Sequence, residues 1–136
     1  MSSTATDDLG KLVLRLTLGI LLLFHGIAKL SHGVSGIEGM VAAHGLPAFL
    51  GWAVYIGEVV APILLIVGVY ARAAGVLVVI NMVVAIALVH STHIFELGRS
   101  GGWQLELQGL YLFGGLAIAL LGAGSYALGG KSGKWN

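Results

Sequence analysis

Cysteine is missing from all 136 residues, which excludes disulfides, thiol redox relays, Cys-ligated zinc and thiolate-held iron–sulfur clusters within the chain. Charge is almost as scarce. Asp, Glu, Lys and Arg together make up 10% of the chain, against roughly 25% in an ordinary soluble domain. So few ionised groups cannot clothe a water-facing surface. Seven Lys and Arg stand against six Asp and Glu, so there is no basic field and no nucleic-acid partner. Sustained alternation of apolar and polar residues is also missing, which argues against a membrane β-barrel. What the chain does have is apolar residues, 57% of the total, and a mean hydropathy of +0.97. That composition describes one integral membrane domain over residues 1–136, of all-α class.

A helix needs about 20 mainly apolar residues to cross ~30 Å of hydrocarbon. Residues 12–30, 46–70, 73–90 and 105–128 meet that requirement, which predicts an up-down-up-down four-helix bundle. The first span is read as a retained helix and not a signal peptide. Asp7 and Asp8 precede it, Lys29 interrupts its end, and no small-x-small cleavage site follows. Lys11, Arg15, Arg72, Lys131 and Lys134 fall on one side of these spans, while the other side carries the mixed set Lys29, Glu38, Glu96 and Arg99. The positive-inside rule then puts both termini in the cytoplasm of a bacterial cell, with the protein in its inner membrane. Arg15 is expected at the inner interface, with Trp52, Tyr55 and Trp103 at the outer one. The final Gly-Gly-Lys-Ser-Gly-Lys stretch, Gly129 to Lys134, reads as a frayed tail.

Glycine is abundant, 22 residues, and small residues let helices approach closely where lipid gives no hydrophobic drive. Gly115, Ala119, Ala123 and Ala127 recur every four residues along the fourth span. This stripe suits a helix of the same chain and a helix of another subunit equally well. Gly19 and Gly26 suit a seam on the first span.

Ionisable side chains inside a membrane cost roughly 2.5–3.5 kcal/mol on insertion scales, so each needs an explanation. His25 and Lys29 share one face of the first span, a helical turn apart. Glu58 lies about a dozen residues into the second span, too deep for a short side chain to reach water. Pro62 follows four residues later and has no N–H, which frees the Glu58 carbonyl and predicts a helix kink. A carboxyl this deep is either kept protonated by desolvation or paired with a cation, and Lys29 and His25 are the nearest candidates by depth. A functional role is the first reading of Glu58, with a purely structural ion pair as the plain alternative. Asn81 in the third span reads as an interhelical hydrogen bonder. His90, Glu106 and Gln108 fall on the same outer side, so with His25, Lys29 and Glu58 they outline an intramembrane polar site for a small ligand. Two sharper readings are weaker: bis-histidine haem ligation by His25 and His90, and a divalent metal held by His90, His93 and Glu96. No metal site is assigned.

The same residues carry a resemblance. His25-Gly26-Ile27-Ala28-Lys29-Leu30 resembles the HG-x-x-KL motif of the DoxX family of small bacterial membrane proteins. Gly57-Glu58, Leu64-Leu65-Ile66-Val67-Gly68, Arg72, Met82, His90, the Gly101-Gly102 pair, Glu106 and Gly122 to Tyr126 continue it in order. Pro62 departs from the pattern where members more often have glycine, and Gly129 where many have aspartate. The resemblance implies a four-helix inner-membrane protein, in some members a subunit of a quinone-linked oxidoreductase. The expectation is therefore a non-catalytic subunit of a membrane redox complex, with quinone as the candidate cofactor and Glu58 and His25 at its head group. Its partners would be the lipid bilayer and either other membrane subunits or further copies of itself. A homo-oligomeric solute-permeation unit and an assembly or anchoring subunit are the alternatives.

Overall fold

A computed structural model describes residues 2–136, and among them every element is helical apart from one isolated bridge between Leu97 and Trp103. Helix α1 (Ser3–His32) starts where the Ser2 hydroxyl accepts from the Ala5 N–H, an N-cap. It runs for 30 residues, well beyond the apolar stretch at its N-terminal end. A short helix, α2 (Ser35–Ala43), follows between Gly33 and Gly45. Both glycines have left-handed φ, 78° and 79°.

The second long helix, α3, spans Ala48–Val67 and changes character along its length. It opens as a 3₁₀ segment (Ala48–Ala53), passes through a π-helical turn (Ile56–Val60) and continues as α-helix (Ala61–Val67). Pro62 comes just after the π turn, so the helix leaves regular α geometry at the place where the missing N–H predicts a defect. A tight turn with Gly68 and Tyr70 at positive φ leads into α4 (Ala71–His93). That helix also widens into a π turn, Ile86–His90, near its far end. π turns are rare and collect at functional sites, and this chain has one on each of two neighbouring helices.

Helices α1, α3 and α4 are long and apolar enough to cross a membrane. The fourth expected span is shorter than the sequence suggests. Helix α5 (Glu106–Leu121) has 16 residues, about 24 Å at 1.5 Å per residue. It stops at Leu121 because Gly122 turns the chain at φ 83° and Arg72 caps the end. The Arg72 guanidinium donates to the carbonyls of Ala119 (3.0 Å) and Leu120 (2.7 Å), the negative pole of the helix.

Small residues set the seams. A Cβ on Gly75 would lie 2.5 Å from the Gly115 carbonyl oxygen, and one on Gly115 would lie 2.9 Å from the Gly75 carbonyl. The two backbones are therefore in contact, and Ala119 extends the seam. The Gly115–Ala119 part of the stripe packs within the chain. Ala123 and Ala127 lie beyond the helix end, and Ala127 meets Gly68. On α1, Gly19 faces the Pro62 carbonyl and Gly26 faces the Glu58 carbonyl, with no room for a side chain at either. Between these seams Leu18, Leu22, Leu65, Val78, Met82, Tyr111 and Ile118 form the core. Outward-facing Phe24, Ile80, Leu110, Phe113 and Leu120 are exposed, as lipid contact requires.

The end of the bundle opposite α2 differs from the sequence expectation in two ways. Arg15 does not extend to the protein surface. It is fully buried and donates to three carbonyls, Leu65 (2.7 Å) in the last turn of α3 and Ala123 (3.1 Å) and Tyr126 (2.5 Å) in the segment after α5. The final stretch is not frayed either. Asn136 is buried, takes the Ala71 N–H on its side-chain oxygen and donates to Gly68 and Gly130. The backbone N–H groups of Ala123 and Arg72 bond to the Asn136 and Trp135 carbonyls. Backbone groups freed where α3 and α5 stop thus find partners across the chain, as buried polar backbone must.

Candidate functional site

The two π turns flank a cavity of about 450 Å³, roofed by Ile37, Met40 and Val41 of α2. Its walls are mostly aliphatic, and its polar side chains are His25, Lys29, Glu58, Asn81, His90, Gln108 and Tyr111. Glu58 sits within the α3 π turn, ten residues or about 15 Å along the helix from Ala48. Its residue is 6% exposed.

Glu58 has a cation. Lys29 Nζ donates to Glu58 Oε1 at 2.6 Å, with 28% of the lysine side chain exposed. Asn81 Nδ2 reaches Glu58 Oε2 at 3.4 Å, so α4 joins α1 and α3 at one carboxylate. The local sequence makes this possible. Gly57 has no side chain to displace Asn81, and Gly26 lets α1 close against the Glu58 backbone. Lys29 is held from behind, since the Tyr55 hydroxyl donates to its backbone carbonyl at 3.0 Å. Opposite charges within hydrogen-bonding distance offset part of the cost of burying each.

The other expected residues divide. His90, on the α4 π turn, lies 3.3 Å from Gln108 Nε2, and both line the cavity. His25 lines it too, but has no hydrogen bond to Glu58. Its ring meets Tyr111 edge-on, with centroids 5.8 Å apart and planes at 82°. Glu106 is not brought in. It opens α5, is exposed, and its carboxylate lies against Gly102 outside the cavity. His93 turns to Glu96 at 2.7 Å, and among the described residues no three His, Asp or Glu side chains converge as metal ligands. Tyr111 is the wall residue the sequence reading passed over. A phenol three residues after Gln108, on the same face of an otherwise apolar run, is the signal that could have found it.

Fold and site together define an all-helical membrane protein with an ion pair set deep in its helices. Residues 10–91 match the DoxX family, and the chain belongs to that family. It is 30% identical over 82 residues to a Bacillus subtilis (strain 168) protein named "Putative oxidoreductase CatD". That alignment covers 60% of this chain and 60% of the relative, so this chain spans less than two thirds of the relative's length. No solved structure matches the chain. The family match takes in His25, Lys29, Glu58 and His90 and stops short of Gln108 and Tyr111.

Proposed function

We propose that this protein is a small inner-membrane subunit of a quinone-linked redox complex and that its cavity receives the quinone head group. One observation carries the reading. Buried Glu58 and partly exposed Lys29 share a cavity with Leu50, Ile56, Ile80 and Val84, which line it and are themselves exposed. Such a rim opens towards lipid. It suits a ligand dissolved in the bilayer better than a solute arriving from water. A quinone is such a ligand, and it takes up or releases protons with its electrons. The carboxylate–ammonium pair and the His25 imidazole are acid–base groups within reach. The electrons come from a partner subunit or a cofactor that the partner holds. The name of the Bacillus relative agrees with oxidoreductase chemistry.

In this reading α1, α3, α4 and α5 cross as an up-down-up-down four-helix bundle with both termini cytoplasmic. The short α5 is accommodated by local thinning of the bilayer. A solute-permeation unit built from several copies gets less support, because Gly115 and Ala119 are already packed against α4 within the chain.

The test is a native mass spectrum of the protein drawn from its own membrane in mild detergent, followed by assay of Glu58→Gln. Co-purifying polypeptides or a bound quinone mass, with activity lost in a still-assembled Glu58→Gln complex, support the proposal. A bare homo-oligomer overturns it in favour of transport. An assembled variant with full activity removes Glu58 from the site.

A further inference from the structure

The polar side chains of the cavity are not equally engaged. Lys29, Glu58 and Asn81 satisfy one another, and His90 is matched with Gln108. The Tyr111 hydroxyl meets no hydrogen-bond partner among the described residues, and neither do the ring nitrogens of His25, which is an exposed residue at the cavity wall. Tyr111 is 7% exposed as a whole residue and belongs to the core cluster. Yet Asp8 Oδ1 is the one fully enclosed side-chain polar atom without a partner among the described residues. The Tyr111 hydroxyl is therefore reachable, and Tyr111 is a wall residue of the cavity. Buried polar groups are normally hydrogen-bonded. An open hydroxyl in an apolar wall, with an imidazole fixed edge-on beside it, is a pair of contacts waiting for a polar atom.

We propose that Tyr111 and His25 together hold an oxygen of the lipid-borne ring ligand, the phenol donating to it and the imidazole donating or accepting according to its tautomer. The inference rests on the proposed function and adds to it the residues that recognise the head group. It also divides the labour in the cavity. Lys29, Glu58 and Asn81 are internally compensated and make up its charged wall, while Tyr111 and His25 are the recognition pair. A purely aliphatic molecule would satisfy neither. A ring carrying a carbonyl or hydroxyl, seated in the cavity against the α1 and α5 walls, satisfies both. Phenylalanine at position 111 would keep the ring packing against His25 and the core and remove only the hydroxyl.

The experiment titrates the purified protein in nanodiscs with decylubiquinone and with a short-chain menaquinone, read as quenching of tryptophan fluorescence. Trp52, stacked edge-on with Tyr55 at 5.6 Å on the outer part of α3, supplies a nearby reporter. Wild type is expected to bind one or both probes saturably. Tyr111→Phe should weaken binding about fivefold, as expected for one net hydrogen bond, with an unchanged melting temperature. His25→Phe should weaken it similarly. As a control, Leu120→Ala on the lipid-facing side of α5 should bind as wild type does. Saturable wild-type binding with equal affinity in Tyr111→Phe and His25→Phe overturns the recognition pair and leaves the quinone reading standing. No saturable binding of either probe to wild type overturns both. A lowered melting temperature in Tyr111→Phe that accounts for its lost binding makes the hydroxyl structural and also overturns the assignment.

Discussion

At the scale of the residue, the energetics turn on Lys29 and Glu58. Removing one member of a buried pair leaves an uncompensated charge and typically costs 3–5 kcal/mol, whereas replacing both can be nearly neutral. Lys29 is partly exposed, with 28% of its side chain accessible, so water relieves some of that penalty. Lys29→Met is accordingly expected to destabilise the protein by about 1–3 kcal/mol. The double variant Lys29→Met/Glu58→Gln should recover most of the loss. Reversible unfolding in mixed micelles measures both, and a double variant as unstable as the sum of the singles would mean that the two side chains do not interact. The pairing was legible in the sequence in outline. A carboxyl that deep is either neutral or paired with a cation, and His25 and Lys29 were the nearest cations in depth. Depth alone could not choose between them. The choice is made by helix phase and by Gly26, which brings α1 against the Glu58 backbone so that Lys29, one turn further on, reaches across.

At the scale of the element, the glycines separate into those that hold helices together and those that do not. Gly75 and Gly115 are in mutual backbone contact, so Gly75→Ala must push α4 from α5. Overpacking of this kind costs typically 1–3 kcal/mol, and because backbone cannot yield as a side chain does, the upper part of that range is expected. Gly10, inside α1, has nothing within 4 Å of a built Cβ. Gly10→Ala should therefore stabilise by up to about 1 kcal/mol through helix propensity. Paired thermal melts decide the matter, and similar shifts in both variants would contradict the packing assigned to the α4–α5 seam. The same contrast explains what was readable beforehand. Apolar runs announced α1, α3 and α4 because crossing length is a local property. The end of α5 was not local. It depends on Arg72, nearly fifty residues away in sequence, and on a backbone reversal at Gly122 inside a run that still reads as apolar. The π turn in α3 was foreshadowed by Pro62, but that in α4 has no proline and no counterpart signal in its sequence.

At the scale of the whole molecule, the two ends of the bundle do different things: one encloses the cavity and the other ties the chain together. Their sidedness follows from the proposed orientation and is open to a clean test, because the chain has no cysteine of its own. Ser35→Cys on α2 should react with a membrane-impermeant maleimide in intact cells, and Ser3→Cys only after permeabilisation. The reverse pattern would invert the topology. The tied end depends on long-range contacts that composition cannot reveal. Asp8, before the apolar part of α1, accepts from the Ser125 hydroxyl at 2.6 Å and from Lys131 at 3.3 Å. The Ser125 hydrogen bond first, and then Lys131, hold its carboxyl below the ordinary value of 3.8, against the opposing effect of burial. A carboxylate whose folded value is lowered contributes stability that is complete above the ordinary value and is lost as pH falls through the lowered one. The segment after Leu121 should thus stay docked at neutral pH and loosen only in acid below about pH 4. Fluorine NMR of 5-fluorotryptophan-labelled protein can follow this at Trp135, whose backbone carbonyl accepts from the Arg72 N–H at 2.8 Å. In wild type the Trp135 resonance should shift and narrow on acidification below that range. In Asp8→Asn, which keeps the shape and discards the charge, it should be shifted already at pH 7 and respond little to acid. A Trp135 resonance that is identical in the two proteins at pH 7 would show that Arg15, Arg72 and Asn136 hold the segment without help from Asp8.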